Sequence, residues 1–378
     1  MTEFIDALNQ IEKEKGIDKE VIFEAIEASL VTACKKNFSS AQNFRVVIDR
    51  ETGKMDVFSQ RTVVEDVNDE LMEIALDDAR AVSPHYGLGD VCEISVTPKD
   101  FGRIAAQTAR QVVIQKFREA ERNNIMKEFT DKVRGIVSGT IQRRDRRNYI
   151  IGVGKNELVL EQSEQVPNEE YRNNQRLKVL VIEVKDTPKG PIIRASRTHP
   201  DFVKRLFEQE VPEVNDNAVV IKAVSREAGS RSKVAVFAPN PDVDAIGACV
   251  GEGGQRIGYI VNELRGEKVD IILWDEDPRF FIASALSPSD VLAVVANVEE
   301  RTAKIVVPDD QFSLAIGKEG QNARLAAKLT GYKIDIRSES QAKETDFVSD
   351  QDYEDFAYFD EEEYEDGLVG VGREENEE

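Results

Sequence analysis

One stretch of the sequence occurs twice in similar form. Residues 250–271 are VGEGGQRIGYIVNELRGEKVDI, and residues 316–336 are IGKEGQNARLAAKLTGYKIDI. Each copy has an apolar residue, the pattern Gly-x-x-Gly-Gln, a helical run, and then Gly-x-Lys, an apolar residue, Asp and Ile. The glycine loops are 66 residues apart and the closing segments 65 apart. Two copies are too few for a solenoid, so they predict a tandem pair of like domains.

Both glycine loops lie in the same predicted order of elements. A helix, two strands and a short helix come before each loop, and a longer helix and a strand follow it. A lone Gly-x-x-Gly would predict only a turn between helices. This order is typical of the bacterial (type II) KH domain, whose GXXG loop clamps single-stranded backbone. The pattern therefore predicts KH domains over residues 200–276 and 277–343.

The glycine loops have the chemistry to hold phosphate. Glycine lets the backbone approach an anion, and the next helix offers unpaired N–H groups and the positive end of its dipole. A nucleotide P-loop is excluded because neither copy contains Gly-x-x-x-x-Gly-Lys-Ser/Thr. Only the second loop carries a lysine, so we expect it to bind phosphate more strongly. The candidate RNA-binding residues are Gly251, Glu252, Gly253, Gly254, Gln255 and Arg256 in the first copy, and Gly317, Lys318, Glu319, Gly320, Gln321, Asn322 and Arg324 in the second.

Residues 131–199 change character. About five short segments rich in β-branched residues alternate with Gly, Pro and polar turns, which predicts a small closed barrel of the OB type. A β-sandwich is the alternative, but it needs more strands than this length supplies. The first strand turn, IQRRDRRNYI, adds cations beside an aromatic ring, as a single-strand-binding barrel requires. A solvated hairpin tip is the competing interpretation. The candidates here are Arg143, Arg144, Arg146, Arg147 and Tyr149.

The N-terminal region, residues 1–130, predicts an α/β domain. A helical pair divided at Gly16 comes first, with Asp18 as the cap of the second helix. A hairpin around Glu-Thr-Gly follows, then a loop and a strand in IALDDARAVSPHYGLGDVCEISV. RIAAQTARQVVIQKFREAERNNIMKEF predicts a long linker helix, because it contains no breaker.

The composition limits the function classes. The net charge is −22, but residues 344–378 alone carry 16 acidic residues and one arginine, so the rest of the chain is far closer to neutral. Three separated cysteines and two histidines give little basis for a metal or triad site, so we expect no metal, no cofactor and no catalytic residue. The N-terminus lacks a signal-peptide pattern, and no apolar run is long enough to span a membrane. We therefore expect a cytoplasmic protein.

Five segments together resemble the NusA family of bacterial transcription factors. They are RTHPDFVKRLFEQEVPEV, SREAGSRSKVAVF, VDAIGACVGEGGQRI, IVNELRGEKVDIILW and AIGKEGQNARLAAKLTG, in the order of that family. The resemblance implies an N-terminal domain that binds RNA polymerase, an OB domain of the ribosomal protein S-one type, and two packed KH domains that bind nascent single-stranded RNA. It also implies a role for Arg197, at the exit of the barrel, as an RNA contact. Glu252 departs from the family, whose first loop commonly carries a basic residue.

The resulting expectation is an α+β multidomain chain. Its parts are a polymerase-binding domain (1–130), the OB barrel (131–199), two KH domains (200–276 and 277–343) and a disordered acidic tail (344–378). The implied function is non-catalytic control of pausing, termination and antitermination, as a monomer, with RNA polymerase and other elongation or antitermination factors as partners. An accessory factor in RNA decay or translation is the alternative. The aromatic residues of the tail also suggest a second role, competition with RNA or partner binding.

Overall fold

The computed structural model describes residues 2–37, 43–97, 101–349, 351–353 and 356. The chain forms two compact units, Met1–Lys127 and Glu128–Glu378. The described residues that lie in or begin in the first unit form α1 (Thr2–Lys15), α2 (Lys19–Asn37), β1 (Asn43–Ile48), β2 (Met55–Val64), β3 (Glu73–Ala75), α3 (Leu76–Val82), β4 (Val91–Ser95) and α4 (Phe101–Thr130).

The first unit confirms the predicted helical pair and hairpin. The Asp18 carboxylate accepts a hydrogen bond from the backbone N–H of Glu20 at 2.8 Å and so caps α2. β1 and β2 pair antiparallel, and β2 also pairs with β3 and β4. The predicted loop before β4 is wrong, because β3 and α3 occupy part of it. Ala79 of α3 is fully buried, and tertiary burial of this kind stabilises a helix too short to be stable alone.

The second unit begins with the predicted barrel. Its strands are β5 (Ile136–Asp145), β6 (Asn148–Val153), β7 (Asn156–Leu160), β8 (Arg176–Thr187) and β9 (Gly190–Ser196). They close in the order β5-β6-β7-β9-β8, which confirms the barrel over the sandwich. Gly139 permits the close approach of β5 and β6, since a Cβ there would lie 2.4 Å from the Ile151 Cγ2 atom.

The first KH domain follows the barrel. Its elements are α5 (Pro200–Glu210), α6 (Pro212–Asn215), β10 (Val220–Glu227), β11 (Arg231–Phe237), α7 (Ala245–Val250), α8 (Gln255–Glu263) and β12 (Lys268–Leu273). β11 is the central strand, antiparallel to β10 and parallel to β12. The amphipathic α5 packs Phe202, Leu206 and Phe207 into the core below this sheet.

The second KH domain repeats that topology. Its elements are α9 (Pro278–Ala285), β13 (Ala293–Asn297), β14 (Thr302–Val307), α10 (Phe312–Ile316), α11 (Gln321–Thr330) and β15 (Lys333–Ser338), and α12 (Glu339–Glu344) follows. β14 is central, antiparallel to β13 and parallel to β15. The repeat seen in the sequence is therefore a repeat of the whole domain.

The outer face of the first KH sheet is covered by the second KH domain. Ala235 and Ile272 belong to one buried cluster with Phe281 of α9. Lys233 of β11 is fully buried, and its ammonium donates to the backbone carbonyl of Ser287, after α9, at 2.7 Å. Burial lowers the pKa of Lys233, and the Asp270 carboxylate, 3.4 Å away, opposes that shift. The two KH domains thus share one core.

The start of the acidic tail covers the equivalent face of the second KH sheet. Phe347 is buried against Ala293 and Val306, and its carbonyl accepts a hydrogen bond from Lys304 at 3.1 Å. The Arg337 guanidinium lies over the Phe347 ring at 4.1 Å. The prediction of disorder from residue 344 onwards is therefore wrong for the described part of the tail. This part is ordered because its aromatic side chains bury apolar surface on the second KH domain.

Phe356 packs at a different place, in the buried cluster that also contains Phe281. Its ring stacks on that of Phe280 at 5.8 Å and is itself buried. We call the described residues of this segment, 345–349, 351–353 and 356, the strap. The rest of the predicted disordered tail, including Tyr358, Phe359 and Tyr364, lies outside the described residues.

Candidate nucleic-acid interface

The two glycine loops have the same backbone conformation. The first glycines, Gly251 and Gly317, have φ/ψ of 74°/168° and 74°/173°, a region that essentially only glycine occupies. The last glycines, Gly254 and Gly320, are left-handed at 73°/17° and 73°/19°. Each loop then leads into a helix, α8 or α11, so the first turn of that helix is presented beside the loop. Both loops therefore place a helix N-terminus beside two glycines, and phosphate binding there stays a prediction.

The second residue of the following helix turns back in both domains. The Arg256 guanidinium donates to the carbonyl of Ala248 at 2.6 Å and to Glu213 at 2.8 Å. Asn322, at the equivalent position, is buried and donates to the carbonyls of Leu286 and Ala315 at 2.9 and 3.1 Å. Both side chains thus satisfy carbonyls at the end of the preceding short helix. This makes them structural parts of the loop, and the burial of Asn322 contradicts its prediction as an RNA contact.

Two other predicted residues of the second loop contact the first KH domain. The Gln321 amide donates to the Glu227 carboxylate and to the Ser230 hydroxyl, both at 2.8 Å. The Arg324 guanidinium donates to Glu227 at 2.7 Å. The hydrogen bond from Arg324 lowers the pKa of Glu227, so this pair stays charged over the neutral range. Gln321 and Arg324 therefore fix the second loop against the neighbouring domain.

The charged side chains inside the loops differ. Lys318 and Glu252 occupy equivalent positions, and both are exposed. Lys318 has no ion-pair or hydrogen-bond partner among the described residues, so its ammonium is available to an anion. Glu252 places a carboxylate where an incoming phosphate would meet it. That the second loop is the stronger phosphate contact stays a prediction, and the charge difference between Lys318 and Glu252 agrees with it.

The arginine cluster of the barrel divides into paired and unpaired members. Arg143 makes a bidentate ion pair with Glu157, at 2.7 and 2.8 Å, and Arg144 lies 5.7 Å above the Tyr149 ring. The Tyr149 ring also contacts Tyr171 at 5.0 Å. Arg146, with a left-handed φ of 55°, forms the tip of the turn with Arg147, and both are exposed. Within the described residues these last two side chains have no partner, so their guanidinium groups are free to meet a ligand, and RNA contact there stays a prediction.

Arg197 is a structural residue, which corrects the role that the resemblance implied. Its side chain is fully buried and bonded to the carboxylates of Glu169 and Glu263. It also donates to the carbonyls of Lys178 and Glu263, at 2.7 and 2.8 Å. Burial acts to lower its pKa, but the two carboxylates outweigh that effect and the pKa is raised. Arg197 therefore ties the barrel to the first KH domain and is not accessible to RNA.

Sequence reasoning missed Arg231 and Lys268 of the first KH domain, which line a cavity together with Lys318. Lys268 lies inside the repeated Gly-x-Lys segment, but only the packing of one domain on the other brings it to the second loop. Over the described ranges, no group of three His, Cys, Asp or Glu side chains is placed to hold a metal ion. In the same ranges no helix has the length and apolar character needed to cross a membrane.

Three models of the NusA family match this chain. They are the NusA N-terminal domain over residues 3–123, the NusA-like first KH domain over 197–274 and the NusA-like second KH domain over 278–344. The matched ranges agree with the fold described above, and the KH models indicate RNA binding.

Full-length relatives cover nearly the whole chain. The transcription termination/antitermination protein NusA of Halalkalibacterium halodurans is 57% identical over 93% of this chain and 92% of its own. That of Bacillus subtilis is 56% identical over 91% of this chain and 92% of its own. The solution structure of the N-terminal domain of NUSA from B. subtilis is 59% identical, covering 32% of this chain and 98% of that structure, with a TM-score of 0.30. The chain belongs to the NusA family of transcription termination/antitermination proteins.

Proposed function

We propose that this chain holds nascent single-stranded RNA on the barrel and the two KH domains while its N-terminal domain, residues 1–130, binds RNA polymerase. In this proposal the protein is a non-catalytic, monomeric, cytoplasmic factor. It modulates pausing, termination and antitermination together with other elongation or antitermination factors. The name of the relatives supports the process, and the KH domains support the ligand.

The observation that carries the RNA site is the unpaired Lys318. It is an exposed cation in the loop that precedes α11. The glycines of this loop, Gly317 and Gly320, have no Cβ to keep a phosphate away from the backbone. Arg146 and Arg147 give a second group of unpaired cations on the barrel. One KH domain reads only about four nucleotides, so two domains and a barrel in one unit lengthen the RNA track. They also raise the effective concentration for each further contact.

The test is binding of a labelled single-stranded RNA to the full chain at 50 and 200 mM salt. If about four phosphates are neutralised, the single-strand salt slope predicts an affinity loss on the order of 50-fold between these concentrations. Lys318→Asp is expected to weaken binding and to flatten this slope. Arg146→Ala with Arg147→Ala measures the barrel contribution separately. Glu252→Gln is the matched control in the first loop and should not weaken binding.

Two results would contradict the proposal in different ways. If only the barrel variant loses affinity, the KH pair is a scaffold and the barrel carries the RNA. If no variant changes the salt slope, the RNA site lies elsewhere. A separate pull-down of RNA polymerase with residues 1–130 deleted tests the polymerase contact, which should be lost while RNA binding remains.

A further inference from the structure

A cavity of about 340 Å³ lies at the junction of the two KH domains. One wall is the beginning of β11 and β12 in the first domain, and the other is the glycine loop of the second domain. The lining residues that matter here are Ser230, Arg231, Lys268, Gly317, Lys318 and Gln321. Its volume is within the range of small-ligand sites and suits one nucleotide unit.

The cavity is basic. Three of its lining side chains are cations, and no acidic side chain is among the described residues that line it. Arg231 donates to the Asp270 carboxylate at 2.8 Å, so part of its charge is offset. Lys268 and Lys318 are both exposed, and neither ammonium has a partner among the described residues. Lys268 belongs to the first-domain wall and Lys318 to the second-domain wall, so an anion bound in the cavity would meet a cation from each domain.

The two walls are held in place. Gln321 and Arg324 bind Glu227, and Gln321 also binds Ser230 beside the cavity. Asn322 anchors the other side of the loop to buried carbonyls. A ligand therefore meets a preformed site, which lowers the entropic cost of binding.

We propose that this cavity binds one backbone phosphate of the RNA, shared between Lys318 of the second loop and Lys268 of the first KH domain. The inference rests on the proposed function and adds to it. The second glycine loop then supplies one side of the phosphate site. The first domain supplies the other side from the beginning of β12, where Lys268 lies, and also binds RNA through its own loop. RNA crossing from one domain to the next would be fixed at this junction.

The experiment uses the full chain and a fluorescein-labelled 12-nucleotide single-stranded RNA, with anisotropy measured at 50 and 200 mM salt. The variant is Lys268→Ala. Lys333→Ala is the matched control, because Lys333 has the equivalent fold position in the second domain, is exposed, and lies outside the cavity lining. One lost phosphate contact predicts a loss of about 8-fold at 50 mM and about 3-fold at 200 mM for Lys268→Ala. The control should change by less than about 2-fold at either concentration.

A double variant tests whether the phosphate is shared. If Lys268 and Lys318 hold the same phosphate, the loss in Lys268→Ala/Lys318→Ala will differ from the product of the single losses. Strictly multiplicative losses would mean separate phosphates and would overturn the shared phosphate site.

The two hypotheses fail separately. If Lys318→Ala loses affinity while Lys268→Ala behaves like Lys333→Ala, the junction site is wrong and the proposed RNA site stands. If neither cavity lysine affects binding, the junction site and the proposed role of the second glycine loop are both wrong. Circular dichroism of each variant checks that the fold is retained, which is expected because both lysines are exposed and unpaired.

Discussion

The two KH domains share a backbone and differ in what their side chains do. The first and last glycines of the two loops agree within a few degrees in φ and ψ. The residue two positions after each loop turns back to cap the preceding helix in both. The charge inside the loop, by contrast, is reversed between Glu252 and Lys318. The difference shows that loop shape and ligand affinity are set by separate positions.

The outer sheet faces provide a second comparison. Lys233 and Lys304 are equivalent, since each pairs in register with an aspartate of the neighbouring parallel strand. Lys233 donates to Ser287 of the second domain, and Lys304 donates to Phe347 of the strap. The strap therefore occupies the place that a third domain would take. It completes the array as a terminal cap does in repeat proteins.

The largest effect is expected from adding a Cβ at the first glycine of each loop. In Gly317→Ala the new atom would lie 2.9 Å from the backbone nitrogen of Asn322. In Gly251→Ala it would meet the side chain of Arg256 at 2.6 Å, which can shift. Backbone strain and overpacking together predict a loss of about 4 kcal/mol in the free energy of unfolding for Gly317→Ala and roughly 2 kcal/mol for Gly251→Ala.

Urea unfolding of the full chain, followed by fluorescence, measures this difference. Trp274 is the one tryptophan of the chain and packs between Phe237 of the first domain and Phe281 of the second. Its signal therefore reports the shared core. Equal losses in the two variants would show that backbone strain alone determines the cost.

The next effect concerns the strap. Deleting residues 344–378 removes Phe347 and Phe356 from the second KH domain, whereas deleting 357–378 leaves both in place. Burial of large aromatic side chains predicts that the first deletion lowers the free energy of unfolding of this domain by about 3 kcal/mol. The second should have little effect. Hydrogen exchange of β14 checks the prediction, and equal protection in both truncated chains would contradict it.

The sequence predicts the features of this molecule that local patterns encode, and it does not predict those that depend on contacts between distant residues. The KH pair and the barrel follow from local patterns, namely glycines at fixed spacing and short β-branched runs between turns. The role of Arg197 does not, because its partners Glu169 and Glu263 are 28 and 66 residues away and come together only in the fold. The order of the strap was not predicted. The tail as a whole is strongly acidic, and this composition indicates disorder although a few aromatic residues are present.

The candidate site divides in the same way. The exposure of Lys318 follows from its place inside the glycine loop, and its role as a phosphate contact stays a prediction. Asn322 and Arg324 lie on the helix that begins at the loop, and their contacts depend on which domain packs beside that helix. Polar residues next to a binding motif can therefore support it without touching the ligand, and only tertiary packing separates the two roles.

A smaller effect is expected from the capping position. Asn322→Ala removes a buried donor from the carbonyls of Leu286 and Ala315, and among the described residues only the Leu286 carbonyl keeps another side-chain donor, the Ser289 hydroxyl, which predicts a loss of about 2 kcal/mol in the free energy of unfolding. Arg256→Ala removes the hydrogen bond to the Ala248 carbonyl and the ion pair with Glu213, but both are partly exposed to water, so we expect a loss of under about 1 kcal/mol. Both are measured by Trp274 fluorescence in urea. A larger loss in Arg256→Ala than in Asn322→Ala would contradict the prediction, and Glu213→Gln, which weakens the ion pair and keeps the carbonyl cap, would then show which of the two contacts is responsible.

The smallest effect concerns the third residue of each loop. Glu319 has a left-handed φ of 53°, where the first loop has Gly253 with a φ of 59°. A side chain at such a φ costs on the order of 1 kcal/mol, and glycine avoids that cost but loses more entropy on folding. Glu319→Gly is therefore expected to raise the free energy of unfolding by less than about 1 kcal/mol, and Gly253→Ala to lower it by a similar amount.

RNA affinity separates the effect of strain from the effect of charge in this pair. Glu319→Gly also removes a carboxylate beside Lys318, so binding should tighten at 50 mM salt and change less at 200 mM. Glu319→Gln is the control, because it removes the charge and keeps the side chain. If the two variants tighten binding equally, the charge is the cause. If only the glycine variant does so, relief of the left-handed residue lets the second loop adapt to phosphate as the first loop already can.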